Sequence, residues 1–194
     1  ISRILCNLLR LVPEGGNAAD IYIICLLYYT YEGPQKADKN RRYHKGESPM
    51  QTVRIGYVEI GEGRPCIIAP ITSASIDGVM DTATSLADLP VELAEWRIDM
   101  FADAVVETPE GLMPDLPYIL QSLAGLRTVI PVALIATFRT VEEGGSCPIS
   151  DEGYAQLIKA LCDSRNVDII DVEGFHKSGR AAELIDYAHS RHVP

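Results

Sequence analysis

The chain has 194 residues, of which 47% are hydrophobic and 23% charged, and its formal net charge is −10. These proportions exclude a disordered or collagen-like chain and allow one hydrophobic core. An acidic chain without a Lys- and Arg-rich stripe is a poor candidate for binding nucleic acid or an anionic membrane.

The cysteines and the apolar runs exclude further classes of protein. The five cysteines are scattered and form no C-x-x-C pair, at positions Cys6, Cys25, Cys66, Cys147 and Cys162. This pattern argues against a disulfide framework or a zinc site and is typical of a cytoplasmic protein. The longest apolar run, Ile21 to Tyr29, is nine residues long, whereas a membrane span needs about 20.

The first 49 residues differ from the rest in charge. They carry seven Lys and Arg against five Asp and Glu, whereas residues 50–194 carry 10 against 22. We therefore predict a boundary at Pro49/Met50, with residues 1–49 as an N-terminal extension. One hypothesis makes this extension translated leader sequence or a disordered segment, with Met50 as the natural start. The alternative is a small helical extension, in which Ile4–Val12 forms two turns.

From Met50 onward the pattern becomes regular. Alternation about Gly56 predicts a short hairpin over Val53–Ile60. Apolar strands then alternate with amphipathic helices, and Ser75 and Ser150 are predicted to cap the first and third helices. The predicted strands are Cys66–Ile71, Leu93–Ile98, Val132–Phe138 and Val167–Val172. The fold class is therefore α/β with a parallel sheet.

The length of these repeats indicates half of a barrel. Four βα units take 130 residues, from Pro65 to Pro194. Eight would take roughly 260, close to the usual size of a (β/α)₈ barrel. We predict a partial TIM barrel of about four βα units over residues 50–194, preceded by the hairpin.

Charged residues end three of the predicted strands. Because side chains alternate along a strand, Glu95, Arg97 and Asp99 share one face, opposite Trp96 and Ile98. The same alternation pairs Thr137 with Arg139, and Asp171 with Glu173. One interpretation is a structural layer of ion pairs. The other is a site for a small, oxygen-rich anion, because active sites of parallel barrels lie at the carboxyl ends of the strands.

The loop Thr140–Ser146 follows Arg139 and contains a Gly pair. It is predicted either to be an ordinary turn or to bring Glu143 into the site.

These residues together resemble the type I 3-dehydroquinate dehydratases, lyases of the shikimate pathway. The resemblance runs from Met50 to Pro194 and rests on Gly61–Pro65, Glu95-Trp-Arg-Ile-Asp99, Thr137-Phe-Arg-Thr140, Glu143-Gly-Gly145, Ser150-Asp-Glu152, Asp171-Val-Glu173 and Tyr187-Ala-His189. It implies a (β/α)₈ barrel, commonly a homodimer, with no metal or cofactor. It also implies that Glu95, Arg97 and Arg139 bind the substrate 3-dehydroquinate, and that Glu143 and Glu173 support the catalytic residues.

The chemistry of that family requires a Lys and a His. The Lys forms an imine with the substrate ketone, which acidifies the neighbouring C–H, and the His removes that proton. The resemblance places both residues beyond Pro194, so we expect this chain to be inactive alone. His176 and Lys177 follow the fourth strand and are the local alternative, whereas His44 and His189 are expected at the surface.

Two other functions stay open from the sequence. A non-catalytic half-barrel could self-associate or bind a partner through exposed edges on its first and fourth strands. A barrel enzyme acting on phosphorylated substrates is disfavoured, because no Gly-rich phosphate loop begins a helix here.

Overall fold

The structure, a computed structural model, describes residues 52–61, 65–174 and 179–194, and the backbone of residues 8–11 and 21–24. A central sheet contains six strands: β1 (Leu8–Leu11), β2 (Ile21–Ile24), β5 (Ile68–Ile71), β6 (Leu93–Arg97), β9 (Ala133–Thr137) and β10 (Ile169–Ile170). Their order is β1-β2-β5-β6-β9-β10. The last four of these run parallel, as predicted.

Each parallel strand is followed along the chain by a helix. The helices are α1 (Ile76–Ser85), α2 (Leu116–Val129), α3 (Asp151–Ser164) and α4 (Ala181–Ser190). Ser75 caps α1, accepting the Gly78 N–H at 3.2 Å, and Ser150 caps α3, accepting the Gly153 N–H at 3.0 Å. Both predicted caps are confirmed. No helix in the described part of the chain is long and apolar enough to span a membrane.

The main core lies between the helices and one face of the sheet. Trp96 and Ile98 point into it and are fully buried, as the alternation along the strand predicted. Trp96 packs edge-to-face on Phe101, with ring centroids 5.4 Å apart. Burial of such large side chains supplies much of the hydrophobic stabilisation of the fold.

A second, smaller core covers the other face of the sheet. It forms under a hairpin of β3 (Val53–Ile55) and β4 (Val58–Ile60), whose Val58 and Ile60 side chains pack with Ile68 and Leu93. Ile68 and Leu93 are the first residues of their strands, so the hairpin lies at the amino ends of the parallel strands. This arrangement leaves the carboxyl ends for the polar residues.

The N-terminal strands differ from one expectation. Leu8–Leu11 is an antiparallel partner of β2, so the predicted helix over Ile4–Val12 is wrong for these four residues. β2 in turn pairs with β5 at Tyr22 and Ile68, so the first parallel strand has a neighbour instead of a free edge. The rest of residues 1–49 lies outside the described residues, and the boundary at Pro49/Met50 stays a prediction.

Two further elements differ from the sequence pattern. β10 is shorter than predicted, although backbone bonds to β9 continue on either side of it, from Asp168 N–H to Leu134 O (2.9 Å) and from Asp171 N–H to Ala136 O (3.0 Å). An unpredicted hairpin, β7 (Val105–Thr108) with β8 (Gly111–Pro114), precedes α2.

Candidate active site at the carboxyl ends of the strands

The polar site residues come from three neighbouring parallel strands. Glu95 lies in the middle of β6 and Arg97 is its last residue, Arg139 follows β9, and Asp171 and Glu173 follow β10. Because β6 pairs with β9 and β9 with β10, the carboxyl ends of these strands lie side by side. Glu95 points away from the helix layer, because its neighbour Trp96 is buried in the main core.

Arg97 is held by a carboxylate two residues further along the chain. Its Nε donates to Asp99 Oδ1 and its Nη2 to Asp99 Oδ2, both at 2.8 Å. Asp99 lies in a short 3₁₀ turn, Ile98–Met100, directly after β6. Burial would raise the pKa of Asp99, but hydrogen bonds from Arg97 and from the Ser146 backbone outweigh it and lower that pKa. A bidentate pair of this kind fixes the plane of the guanidinium group.

Arg139 is the centre of a second network. Its Nη2 donates to Asp171 Oδ2 at 2.6 Å and its Nη1 to Glu143 Oε2 at 3.2 Å. Glu173 Oε1 lies 3.7 Å from Nη1. One guanidinium group thus joins the ends of two strands and the loop after β9.

Glu173 is a fully buried carboxylate of the site. Its Oε1 accepts the Thr140 N–H and its Oε2 the Thr140 hydroxyl, each at 2.7 Å, and its side chain has no exposed surface. Its own backbone N–H donates to the Tyr154 hydroxyl at 3.0 Å. Burial raises the pKa of Glu173, and the two bonds from Thr140 oppose that rise. Glu173 therefore fixes Thr140, the first residue of the loop Thr140–Ser146.

The loop after β9 is shaped by its two glycines. Val141–Glu143 forms a 3₁₀ turn, and Gly144 ends it with a φ of 87°. The Gly145 N–H donates to Thr140 O at 2.7 Å, and a Cβ on Gly145 would lie 1.8 Å from the Arg139 carbonyl oxygen. The loop is thus a tight turn that also carries Glu143 to Arg139, so both interpretations of this segment apply together.

Glu95 lies among groups of both charges. Burial raises its pKa, while the Thr137 hydroxyl lowers it; Asp171 raises it further, and the two arginines oppose that. Burial likewise raises the pKa of Asp171, against the opposing effect of Arg139. Burial is thus the largest cause of the raised pKa at both of these carboxyl groups.

A comparison with models of known protein families identifies the family of this chain. A family model described as type I 3-dehydroquinase matches residues 67–193. The chain belongs to the type I 3-dehydroquinase family.

Individual relatives agree with this assignment. The chain is 32% identical over 145 residues to the 3-dehydroquinate dehydratase of Listeria monocytogenes serotype 4a, covering 74% of this chain and 54% of the relative. It is 31% identical over 141 residues to that of Lactiplantibacillus plantarum, covering 73% and 53%. The chain spans about half the length of the curated relatives it matches.

Solved structures of the family share the fold. The type I 3-dehydroquinate dehydratase of Clostridium difficile superposes with a TM-score of 0.66 at 33% identity, covering 74% of this chain and 53% of that one. The 3-dehydroquinate dehydratase of Geobacillus kaustophilus gives 0.63 at 26% identity, covering 74% and 52%. The fold is therefore the partial barrel that the sequence predicted.

Sequence reasoning on this type I 3-dehydroquinase chain missed several members of the site. The three missed groups are the Thr140 side chain, the Tyr154 hydroxyl and the role of Asp99. Tyr154 belongs to the apolar face of α3, and its long-range bond to Glu173 shows a polar role. Asp99 carried a signal, because the Arg-x-Asp spacing after a strand allows a bidentate pair.

The described Lys and His residues lie away from this cluster. Lys159 is on α3 and binds Glu183 at 2.7 Å, and it is the one Lys in the described part of the chain. His189 lies in the last turn of α4, and His192 follows that helix. His176 and Lys177, the predicted local alternative, lie outside the described residues. No cluster of His, Cys, Asp and Glu suited to a metal ion occurs within the described ranges.

Proposed function

We propose that this chain forms the hydroxyl-binding side of a 3-dehydroquinate dehydratase, which converts 3-dehydroquinate to 3-dehydroshikimate and water in the shikimate pathway. The observation that carries the proposal is the pair of site arginines, Arg97 and Arg139, each held by carboxylates at the carboxyl ends of adjacent parallel strands. Family membership supplies the reaction, and this geometry supports the part the chain takes in it.

The proposed roles follow from the exposure of each side chain and from the bonds that it makes within the protein. Glu95, Arg97 and Arg139 bind the substrate, because each has a partly exposed side chain at the opening of the half-barrel. Glu143 binds Arg139 and Glu173 binds Thr140, so these two carboxylates support the site and leave the substrate to the others. Guanidinium groups suit hydroxyl and carboxylate oxygens.

The chemical step in this family needs groups that the described cluster does not contain. A Lys amine condenses with the substrate ketone, releasing water and forming an imine. A His then takes a proton from the adjacent carbon and passes it to the departing hydroxyl, which leaves as water. A water molecule finally hydrolyses the imine, which releases 3-dehydroshikimate and restores the Lys amine. Within the described ranges no Lys or His lies beside Arg97 and Arg139, so we propose that the 194-residue polypeptide does not turn over substrate alone.

The proposal includes the setting of the enzyme. The completed enzyme acts in the cytoplasm on a small molecule, as a homodimer, without nucleic acid, membrane, metal or cofactor. The cysteine pattern supports the cytoplasm, since the five cysteines are scattered along the sequence and form no C-x-x-C pair.

The test completes the barrel from a relative. The 194-residue polypeptide is combined with the carboxyl-terminal half of the Listeria monocytogenes enzyme, and dehydroshikimate is followed by its ultraviolet absorbance. We expect no turnover by either part and measurable turnover by the combination. Turnover by the polypeptide alone would overturn the claim of inactivity. A stable complex of both halves without turnover would overturn the proposed site.

Matched variants show whether the site arginines are responsible. Arg139→Gln is expected to lower kcat/KM of the combined enzyme about 100-fold or more, because a charged donor to the substrate is lost. Arg127→Gln is the control, since Arg127 makes a similar pair with Asp168 (2.7 Å), whose side chain also binds the N–H of the second residue of β9. Equal effects of the two variants would contradict the assignment. Light scattering of the polypeptide alone tests the alternative of a self-associating half-barrel, which predicts a stable dimer.

A further inference from the structure

The starting observation is the number of bonds that one buried carboxylate makes. The Asp99 side chain has no exposed surface and accepts four hydrogen bonds. Two come from Arg97, one from the Arg139 N–H at 3.3 Å and one from the Ser146 N–H at 3.1 Å. A carboxylate offers about four lone-pair sites, so the protein itself saturates Asp99. Asp99 therefore has no acceptor left for a ligand.

The four donors come from three segments of the site. Arg97 ends β6, the Arg139 N–H lies two residues beyond the end of β9, and Ser146 ends the loop that carries Glu143. Asp99 is the one side chain in the described ranges that hydrogen bonds to all three. Its position thus fixes the distance between the two site arginines.

The bond geometry also sets which atoms of Arg97 remain available. Asp99 binds Nε and Nη2, and Nη1 makes no hydrogen bond to a described residue. Because the guanidinium group is planar, holding two nitrogens aims the third. The Arg97 side chain is 24% exposed, so Nη1 has access to the opening of the half-barrel.

Two contacts hold the end of the loop Thr140–Ser146 in place. Gly145 packs so closely on the Arg139 carbonyl that no side chain fits there, and the next residue, Ser146, donates to Asp99. Releasing Ser146 would free the end of the segment that places Glu143 on Arg139. Asp99 thus acts on Arg139 through the backbone and through this loop.

We propose that Asp99 is a positioning residue, which aims Arg97 at the substrate and ties the Arg139 backbone and the Glu143 loop to the end of β6. This inference deepens the proposed function and rests on it for the identity of the substrate. The geometric part concerns this chain alone and can be tested without turnover.

The first measurement uses the unchanged polypeptide. Proton exchange of arginine Nε–H groups is followed by ¹⁵N NMR. Arg97 uses Nε in its pair, whereas Arg127 uses Nη1 and Nη2. We expect the Arg97 Nε–H to exchange at least about tenfold more slowly than that of Arg127. Equal exchange rates would overturn the claim that Asp99 holds Arg97.

The second measurement compares two Asp→Asn variants. Asp99→Asn is expected to accelerate exchange of the Arg97 Nε–H and of the Ser146 amide by about tenfold or more, leaving the Leu134 amide protected. Asp168→Asn is the matched control, because Asp168 also binds an arginine fork and a backbone N–H, that of Leu134 at 2.8 Å. It is expected to expose Leu134 and leave Arg97 unchanged. The same exchange pattern in both variants would indicate a merely structural role and overturn the proposal.

A third variant covers the case in which Asp99→Asn does not fold. Gly145→Ala pushes the loop from Arg139 while keeping the carboxylate of Asp99. We expect fast exchange at Ser146 and continued protection of the Arg97 Nε–H. If the Ser146 amide and the Arg97 Nε–H both lost protection, or if both kept it, the claim that Asp99 binds these two groups independently would be wrong.

Turnover by the combined enzyme then separates this inference from the proposed function. Asp99→Asn is expected to lower kcat/KM by about 10- to 100-fold, and Asp168→Asn to change it less than about threefold. If no combination turns over, the proposed function fails while the exchange data still decide the role of Asp99. If turnover is seen and the two variants lose it equally, the positioning role is wrong.

Discussion

The two ends of the parallel strands carry the same kind of arginine–aspartate pair in different surroundings. At the amino ends, Arg127 and Asp168 lie 2.7 Å apart with side chains 38% and 25% exposed. At the carboxyl ends, Arg97 and Asp99 lie 2.8 Å apart with side chains 24% and 0% exposed. The chemistry of the pairs is alike, and the burial of the aspartate is not.

Charge balance is the second difference between the ends. At the amino ends, Arg127 and Asp168 neutralise each other. At the carboxyl ends, two guanidinium groups serve five described carboxylates, those of Glu95, Asp99, Glu143, Asp171 and Glu173. Buried groups of like charge destabilise a fold unless they are paired or protonated. The exposed pair at the amino ends is thus balanced in charge, whereas the cluster at the carboxyl ends has more carboxylates than guanidinium groups.

Removing the shared cation should give the largest effect. Arg139→Met leaves Glu143, Asp171 and Glu173 without their guanidinium partner. We expect the free energy of unfolding to fall by about 3 kcal/mol in urea denaturation at neutral pH, because buried carboxylates are left uncompensated. Arg127→Met, at the exposed pair, should cost no more than about 1 kcal/mol. Equal losses would contradict the difference between the two ends.

The second largest loss of stability is expected where the loop packs most closely, at Gly145. Gly145→Ala places a Cβ against the Arg139 carbonyl oxygen and is expected to cost about 2–3 kcal/mol. Gly144→Ala meets no atom within 4 Å and strains only the backbone at a φ of 87°, for about 1 kcal/mol. Thermal unfolding of both variants measures the difference. A larger loss for Gly144→Ala would show that the close contact does not form.

Two threonine hydroxyls that donate hydrogen bonds of the same length, one buried and one exposed, show how burial changes the stability that such a bond contributes. The Thr140 hydroxyl donates to buried Glu173 at 2.7 Å, and the Thr128 hydroxyl donates to the Gly125 carbonyl at 2.7 Å on the exposed side of α2. Thr140→Val should cost about 1–2 kcal/mol, because a carboxylate oxygen loses its buried partner. Thr128→Val should cost almost nothing in the same urea titration. Similar costs would mean that Glu173 is solvated.

The pH dependence of stability should show the smallest effect. The folded-state pKa values of Glu95, Asp171 and Glu173 are raised, so the folded state binds more protons than the unfolded state above the usual carboxyl range. Stability is therefore highest below the unfolded pKa and falls as pH rises through the folded one. Urea unfolding should show greater stability at pH 5 than at pH 7.

A substitution assigns this pH dependence to the site. Glu95→Gln should reduce the loss of stability between pH 5 and pH 7, because one raised carboxyl no longer titrates. Glu59→Gln, on the exposed face of the β3–β4 hairpin, should leave the loss unchanged. A flat profile in the parent chain would show that the site carboxyls ionise as freely as those in water.

Local patterns in the sequence account for much of the fold. The alternation of Glu95, Trp96 and Arg97 predicted which side chains face the helices and which face the site. Ser75 and Ser150 marked the helix starts, because capping depends on residues close in the chain. The order and length of the βα units predicted the half-barrel, and the strand pattern predicted the strand ends where the site residues lie.

Long-range contacts account for what the sequence did not predict. The bond between the Tyr154 hydroxyl and the Glu173 backbone joins residues on different elements, and nothing near Tyr154 in the chain signals it. The role of Asp99 also depends on residues distant in the chain, because two of its donors are the backbone N–H groups of Arg139 and Ser146. The strand pairing of Leu8–Leu11 likewise depends on a partner segment, and local apolar spacing fitted a helix as well.

The chain has a single tryptophan, so its tryptophan fluorescence reports on one known position in the core. Trp96 is fully buried on the helix side of β6, between two site residues that face the other way. Its emission therefore reports whether the contact with Phe101 and the surrounding core is intact. A blue-shifted signal that shifts to the red only on unfolding would let folding be followed at one position of the core, separated by the sheet from the polar cluster on the other face.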